Sequence, residues 1–407
     1  TPHLKCRVCD SEKMTKYLDL GLMPLANNLE ATAELAKKAE RFPLQVMFCN
    51  SCGLSQLSLV VNPEKMFSHY AYRSSVNGGY VDHCSRMAET MAIDYGVNEN
   101  SFHIDIAGND GTLLDEFRKV LGHKVLNVDP AANLAAIAES KGIECIVDFW
   151  SSDVAQRIPA RADIITATNV FAHLDNVKDF ISACRDTLKP NGILVIENPY
   201  LIDFIENMEF DTVYFEHVTY WSLLPMLKLC RGNGMKVLEA NKQDIHGGTM
   251  RYIIARDDSN YTPLTSSELV SKNEIALGYA TQKKYGNWAG SVDAMVKLFR
   301  SNLLVLKLQG NSIAGFAASA KGNTLLNCAE INTDIMSFIV DQTPEKIGKF
   351  SPGTGIPIVG MDQIAKKSPD YIVILSWNFK DEIMNKIRAT GWTGKFIIPI
   401  PQWEVVD

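Results

Sequence analysis

Short apolar runs, each ending at a polar or glycine-containing turn, recur through the middle and the last third of the chain. Phe102–Ala107, Lys124–Val128, Glu144–Val147, Ile164–Thr168 and Ile193–Glu197 read as strands. They lack the clean alternation of a half-exposed sheet, as strands buried on both faces do. Helical spacing marks Val81–Tyr95, Ala131–Ser140 and Val177–Leu188. Alternation of the two patterns predicts a parallel sheet covered by helices on both faces. A helix over Trp221–Arg231 follows, then strand-like Lys236–Ala240 and Met250–Arg256, spaced as an antiparallel pair that closes the sheet. A second alternation begins at Ser312–Phe316, turns over Ala317–Gly322 into a helix, and continues through Met336–Val340, Tyr371–Leu375 and Lys395–Pro399. Between the two lies Asp257–Asn311, polar and helical in pattern, which reads as a connection between domains.

The opening segment is different. Short strands and loops surround two pairs, Cys6-x-x-Cys9 and Cys49-x-x-Cys52, with one helical stretch near Ala31–Ala39. Each pair puts two thiolates on one tight turn, and two such turns facing each other make a tetrahedral S4 cage. Structural zinc suits that cage; an iron–sulfur centre is the alternative donor chemistry, and incidental thiols the bland one. A module this small buries little, so bound zinc would contribute much of its stability. The division expected is 1–75 for the zinc module, 76–256 for the first α/β unit and 257–407 for the second.

Composition narrows the setting. Among 407 residues 46% are hydrophobic, enough for several cores, and the formal charge of −7 opposes a nucleic-acid or anionic-membrane partner. Cys84, Cys145, Cys184, Cys230 and Cys328 stand singly among apolar neighbours, the pattern of reduced buried thiols. With a polar start at Thr1 and no apolar run of the ~18 residues a membrane span needs, the expectation is a cytoplasmic protein, acting as a monomer.

Chemistry concentrates after the strands. Asp105-Ile-Ala-Gly-Asn-Asp-Gly111 joins the first strand to a helix from Thr112, an arrangement in which glycine admits a ligand to the backbone and the helix start offers free N–H groups. Asp129, ending the next strand, is placed to accept ribose hydroxyls. A dinucleotide site prefers G-x-G-x-x-G with a bare turn. Here Asp105, Asn109 and Asp110 would repel phosphate and suit a cationic ligand with an amino-acid tail, such as S-adenosylmethionine (SAM). Expected contacts are Asp105, Ala107, Gly108, Asn109, Asp110, Asp129 and Pro130. Asp148-Phe149 would add adenine contacts, unless it is merely a surface acid beside a core aromatic.

Polar clusters gather at the same predicted edge. Tyr70-Ala-Tyr72-Arg-Ser-Ser75 lies at the junction with the cysteine module, Asn169-Val-Phe-Ala-His173 follows the fourth strand and Tyr214-Phe-Glu-His217 the fifth. His246-Gly-Gly-Thr-Met-Arg251 lies between the closing strands, and Gly315-Phe-Ala-Ala-Ser-Ala-Lys-Gly322 repeats a glycine turn with a lysine and no acid, which suits a diphosphate. Singly, each of these residues is more often structural than functional.

Together with Asn109-Asp-Gly-Thr-Leu-Leu114, Ala318-Ser-Ala-Lys-Gly-Asn-Thr-Leu-Leu-Asn327 and Pro352-Gly-Thr-Gly-Ile-Pro357, these motifs make the chain resemble, over essentially its whole length, the zinc-containing nucleotide-sugar C-methyltransferases. The resemblance implies a class I methyltransferase Rossmann-like sheet flanked by the zinc module and a second Rossmann-like α/β domain. It implies SAM and zinc as cofactors, a TDP-linked 4-keto-deoxysugar as substrate and C3 as the methylated carbon. His217 matches the family's base, with Tyr214, Glu216 and Tyr72 beside it, Glu216 orienting the imidazole. Tyr70, Asn169, His173, His246, Arg251, Ser319, Lys321 and Asn323 are the expected substrate contacts. Ala107 departs from the glycine usual in relatives. An O- or N-methyltransferase on the same substrate class, or a zinc-organised scaffold without activity, are the competing readings.

Overall fold

The computed structural model describes residues 5–61, 74–76, 78–122, 124–245 and 248–407; Tyr70, Tyr72 and His246 lie outside them. The first sheet is antiparallel, built from β1 (Met14–Pro24), β2 (Arg41–Cys49) and β3 (Ser55–Leu57), and completed on β3 by the distant β9 (Thr219–Tyr220).

The second sheet comprises β4 (Phe102–Ile106), β5 (Lys124–Val128), β6 (Glu144–Ile146), β7 (Ala162–Thr168), β8 (Leu188–Pro199), β10 (Met235–Gln243) and β11 (Thr249–Arg256). Their order is β10-β11-β8-β7-β4-β5-β6; β4 to β8 run parallel, and β11 enters antiparallel between β8 and β10. This is the class I methyltransferase sheet with its closing hairpin, as the spacing of the last two strands predicted. Strand order reverses between β4 and β7, so the loops there part and leave a crevice at the carboxyl edge.

A third sheet holds β12 (Ile313–Phe316), β13 (Ile339–Val340), β14 (Ile358–Val359), β15 (Tyr371–Ile374), β16 (Lys395–Ile398) and β17 (Glu404–Val406). The order is β14-β13-β12-β15-β16-β17, parallel except for β17. Its switch point falls between β12 and β15. The two-residue β13 and β14 and the edge strand β17 are too short or too exposed for pattern reading; of the three only β13 was expected, and longer.

The 257–311 segment does more than connect. It forms helices Thr265–Ala276 and Gln282–Leu308. The first supplies Glu274, wholly buried, whose carboxylate accepts from Leu223 N, Leu224 N and the Tyr200 hydroxyl. It thereby caps the Leu223–Gly232 helix, whose own Ser222 makes no side-chain cap. The second buries Tyr285, Trp288, Val292, Phe299 and Leu303 along one face. Tyr285 packs against Phe48 and Tyr17, with ring centroids 4.7 and 5.1 Å apart, and Trp288 against Phe204 at 5.2 Å. The polar residues seen in the sequence are the other face of the same helix. No described helix is long and apolar enough to cross a membrane.

Because Tyr285 joins the long helix to the first sheet, Tyr285→Ala should cost about 3–5 kcal/mol, the range for removing a buried aromatic. Urea unfolding of the variant checks this; a loss under about 1 kcal/mol would mean the helix is only a spacer.

Candidate active site

Carboxyl edges of the second and third sheets face each other across a cleft of about 1260 Å³. One wall comes from the turns after β4, β5, β6 and β7, the other from those after β12, β13 and β15. A single small-molecule site usually occupies 300–1,000 Å³, so the cleft has room for two ligands.

The turn after β4 is shaped by backbone demands. Ala107, Asn109 and Gly111 have φ of 54°, 56° and 74°, the left-handed region that disfavours a β-carbon. Ala107 therefore carries strain that glycine would not. At Gly108 a β-carbon would lie 2.5 Å from Asn127 Oδ1 and 2.6 Å from the Asp105 carboxylate, so the chain there must be bare. Asp129 Oδ2 accepts from Asn109 N at 2.9 Å and Oδ1 from Ala131 N at 2.8 Å, leaving lone pairs for ribose hydroxyls.

Ala107, Gly108, Asn109, Asp129, Pro130 and Phe149 line the cleft. Three acids expected beside them do not. Asp105 is buried beneath the turn and accepts from the Thr166 hydroxyl at 2.6 Å; burial raises its pKa to about 7. Asp110 turns inward to Thr112 Oγ1 and to Ser75 N. Asp148 pairs on the surface with Arg157 at 2.6 Å. Short acids inside a turn find backbone and hydroxyl donors closer than any ligand, and these brace the turn from behind.

Asn169 and His173 line the cleft beyond β7, and Ser319 lines it from the opposite wall. The His217 ring stacks on His173, centroids 5.2 Å apart at 18°, and meets the Tyr214 ring at 4.2 Å, so both lie one ring further in. The His217 Nδ1–H donates to the Thr212 carbonyl at 2.7 Å. That fixes the tautomer and leaves the Nε2 lone pair without a hydrogen-bond partner among the described residues. Burial lowers the His217 pKa to about 4; the Thr212 bond opposes this and the charge of Lys321 adds to it. Burial and the neighbouring His217 lower that of His173 to about 3. Both imidazoles are therefore neutral at pH 7.

Other expected positions fall elsewhere. Glu216 accepts from Asn27 Nδ2 at 2.6 Å, so the orienting partner of His217 is the Thr212 carbonyl and not this carboxylate. Arg251 is buried with Glu197 at 2.5 Å and His83 nearby, behind the sheet edge. Asn323 is internal, donating to Ala26 O at 2.7 Å and accepting from Ser351. Lys321 reaches Glu209 and the face of Trp377 and does not line the cleft. Each of these polar side chains is claimed by a partner from a distant segment that only the fold supplies.

Sequence reading missed Asp341, Thr343 and Lys346, which line the second wall. Asp341 accepts from Ala318 N and Thr343 N, each at 2.8 Å, repeating at the end of β13 what Asp129 does at the end of β5. Ala317 likewise repeats Ala107, with φ 74°. An acid closing the second strand of each unit was the signal available.

The cysteines converge as expected. Cys6, Cys9, Cys49 and Cys52 bring their sulfurs within 4.8 Å of one another, with Cys6–Cys52 at 3.4 Å and Cys9–Cys49 at 3.6 Å. A tetrahedral ion with bonds of about 2.3 Å needs sulfurs about 3.8 Å apart, whereas a disulfide needs about 2.05 Å. Crowding also separates the thiols electrostatically: sulfur neighbours drive Cys49 down to about 2 and push Cys6 up to about 12. All four ionise together only around a cation, so the donor set fits zinc, which would cross-link the two loops.

Three family models match successive parts of the chain. Residues 6–67 match a zinc-binding domain, 83–240 a methyltransferase domain and 244–401 a C-methyltransferase C-terminal domain. The chain is 30% identical over 407 residues to the C-methyltransferase NovU of Streptomyces niveus, covering 99% of this chain and 97% of that one. A ubiquinone biosynthesis O-methyltransferase of Rhodopseudomonas palustris is 33% identical over 96 residues, 23% of this chain and 37% of its own. Among solved structures, a magnesium protoporphyrin IX methyltransferase of Synechocystis with bound SAM is similar at 11% identity and a TM-score of 0.34, over 44% of this chain and 80% of that one.

Two measurements test the site. Metal analysis should find about one zinc per chain, and Cys49→Ser should lose the metal and unfold the first module; metal-free protein purified without chelator would refute the cage. Asp129→Ala removes an acceptor worth about 1.5–3 kcal/mol, so calorimetry should show SAM affinity falling roughly tenfold to a hundredfold. Unchanged affinity would mean that the ribose binds elsewhere.

Proposed function

We start from the fact that the chain belongs to the zinc-containing C-methyltransferase family, and propose that it methylates a carbon beside the keto group of a nucleotide-linked 4-keto-deoxysugar, C3 by the resemblance, with His217 as base. One observation carries the reading: a neutral imidazole, tautomer fixed by Thr212, whose Nε2 is the open face and whose ring stacks on the cleft residue His173. The 4-keto group acidifies the neighbouring C–H, His217 Nε2 takes that proton, and the electron pair passes into an enolate whose carbon attacks the methyl group. Bound SAM supplies the methyl as an electrophile. A lowered pKa makes His217 a weak base, so the enolate oxygen must be met by hydrogen bonds and positive charge as it forms.

The same polarity supports SAM at the first wall. Asp129 there offers acceptors to ribose, and the turn adds no cation to compete with a sulfonium. The second wall supports the sugar nucleotide: Asp341 repeats the diol-accepting arrangement, Lys346 brings a positive charge beside it, and Ser319 caps the following helix at the same edge. Two nucleoside ligands held tail to tail would bring the sugar to the middle of the cleft, beside His173. The diphosphate grip first expected of Lys321 passes in this reading to Lys346.

His217→Asn should abolish methyl transfer from SAM to a TDP-4-keto-deoxysugar while leaving SAM binding intact, because the imidazole meets substrate. With S-adenosylhomocysteine in place of a methyl donor, wild-type protein should exchange the acidic sugar proton for solvent deuterium, and the variant should not. The position of the label identifies the carbon. Activity should persist through neutral pH and fall only as pH drops toward about 4, where His217 gains its proton. Exchange by the variant at the wild-type rate would show that another group is the base.

A further inference from the structure

The turn that orients His217 is held from the other side of the molecule. Phe210–Thr212 forms a single helical turn, and the Thr212 carbonyl on it receives the imidazole Nδ1–H. Glu209 and Asp211, on the same turn, are almost fully buried and face the C-terminal domain. There the Lys321 ammonium lies 3.7 Å from Glu209 Oε2 and 5.0 Å above the Trp377 ring centroid. The Trp377 indole N–H donates to Asp211 Oδ2 at 2.8 Å. Every charged side chain on the turn is thus engaged by one lysine and one tryptophan from the opposing domain.

We propose that Lys321 is a positioning residue for proton abstraction: with Trp377 it clamps the Glu209–Thr212 turn, and through the Thr212 carbonyl it sets the aim of the His217 Nε2. This rests on His217 being the base. Removing the ammonium leaves buried Glu209 without its cation and Asp211 with the Trp377 N–H alone, so the turn that carries both must readjust. The shift moves the carbonyl that fixes the imidazole, so the loss falls on the chemical step and spares both ligand grips. Catalytic geometry in the second domain is then conditional on docking of the third.

The charge gives a signature that packing alone would not. The His217 ring is faced by His173 from the β7 side, by Tyr214 and the Thr212 carbonyl from its own excursion, and by Lys321 from the C-terminal domain, with Glu209 and Asp211 behind the lysine. Lys321 opposes imidazolium formation. Its removal, with two acids left behind, makes protonation easier, so the acid limb of the kcat profile moves to higher pH.

The experiment uses the full-length zinc-bound protein with SAM and a TDP-4-keto-deoxysugar. Lys321→Met should lower kcat by about tenfold or more, with KM for the sugar and Kd for SAM within about twofold, and should move the acid limb upward. Lys321→Arg, which keeps the charge and the ring contact, should restore most of kcat and the original limb. Trp377→Phe, which keeps a ring but removes the bond to Asp211, should also lower kcat selectively, and decides the matter if Lys321→Met does not fold. Wild-type kcat and an unmoved limb in Lys321→Met, beside an inactive His217→Asn, would overturn the clamp and leave the base standing. A raised KM with unchanged kcat would make Lys321 a substrate ligand and overturn it too. Deuterium exchange persisting in His217→Asn would remove the base, and the clamp with it.

Discussion

Two parallel sheets can share one cleft only if their carboxyl edges face each other, and here that opposition depends on burying carboxylates at the seam. Glu209 and Asp211 lose solvent when the third sheet docks, and burial pushes both pKa values up, that of Glu209 to about 7. Lys321 and the Trp377 N–H offset that cost. An apolar core runs continuously through all three sheets, and this polar contact adds a directional constraint to it that apolar packing alone does not supply. The cleft, with His173 stacked on His217 at its floor, opens beside this contact.

Within each wall the same local solution recurs. A strand ends in a left-handed alanine, Ala107 or Ala317, and the acid closing the next strand accepts two backbone N–H groups, Asp129 in one unit and Asp341 in the other. Backbone donors hold these carboxylates in place without consuming all their lone pairs, which makes them rigid acceptors. Rigidity matters because a methyl transfer succeeds only over a narrow range of distance and angle.

What the sequence disclosed follows from which forces act locally. Strands β4, β5, β12 and β15 were legible because central parallel strands are apolar runs bounded by turns, and the glycine turn and Asp129 because their roles are set by backbone within a few residues. Cys6, Cys9, Cys49 and Cys52 were legible from spacing alone. Residues whose partners lie far along the chain were not. Arg251 with Glu197, Asn323 with Ala26 and Glu216 with Asn27 each satisfy a contact between distant segments. In sequence they look like ligand-binding residues because a polar group near a sheet edge has the same composition whether it holds a substrate or a loop. The long helix Gln282–Leu308 was misjudged for a related reason: its buried aromatics are spread thinly over many turns, so the polar face dominates the pattern.

The first sheet is completed by residues that come much later in the chain. Strand β3 needs Thr219–Tyr220 as its neighbour, Ala26 accepts from Asn323 across 297 positions, and Arg41 reaches Gly353. During synthesis this module leaves the ribosome before any of those partners exists, with one strand edge open and four thiols exposed. Capture of a metal ion at that stage would hold its loops in register while the rest of the polypeptide is made. The cysteine cage therefore belongs as much to the schedule of assembly as to the finished enzyme: it keeps this module ready for contacts with segments made long after it.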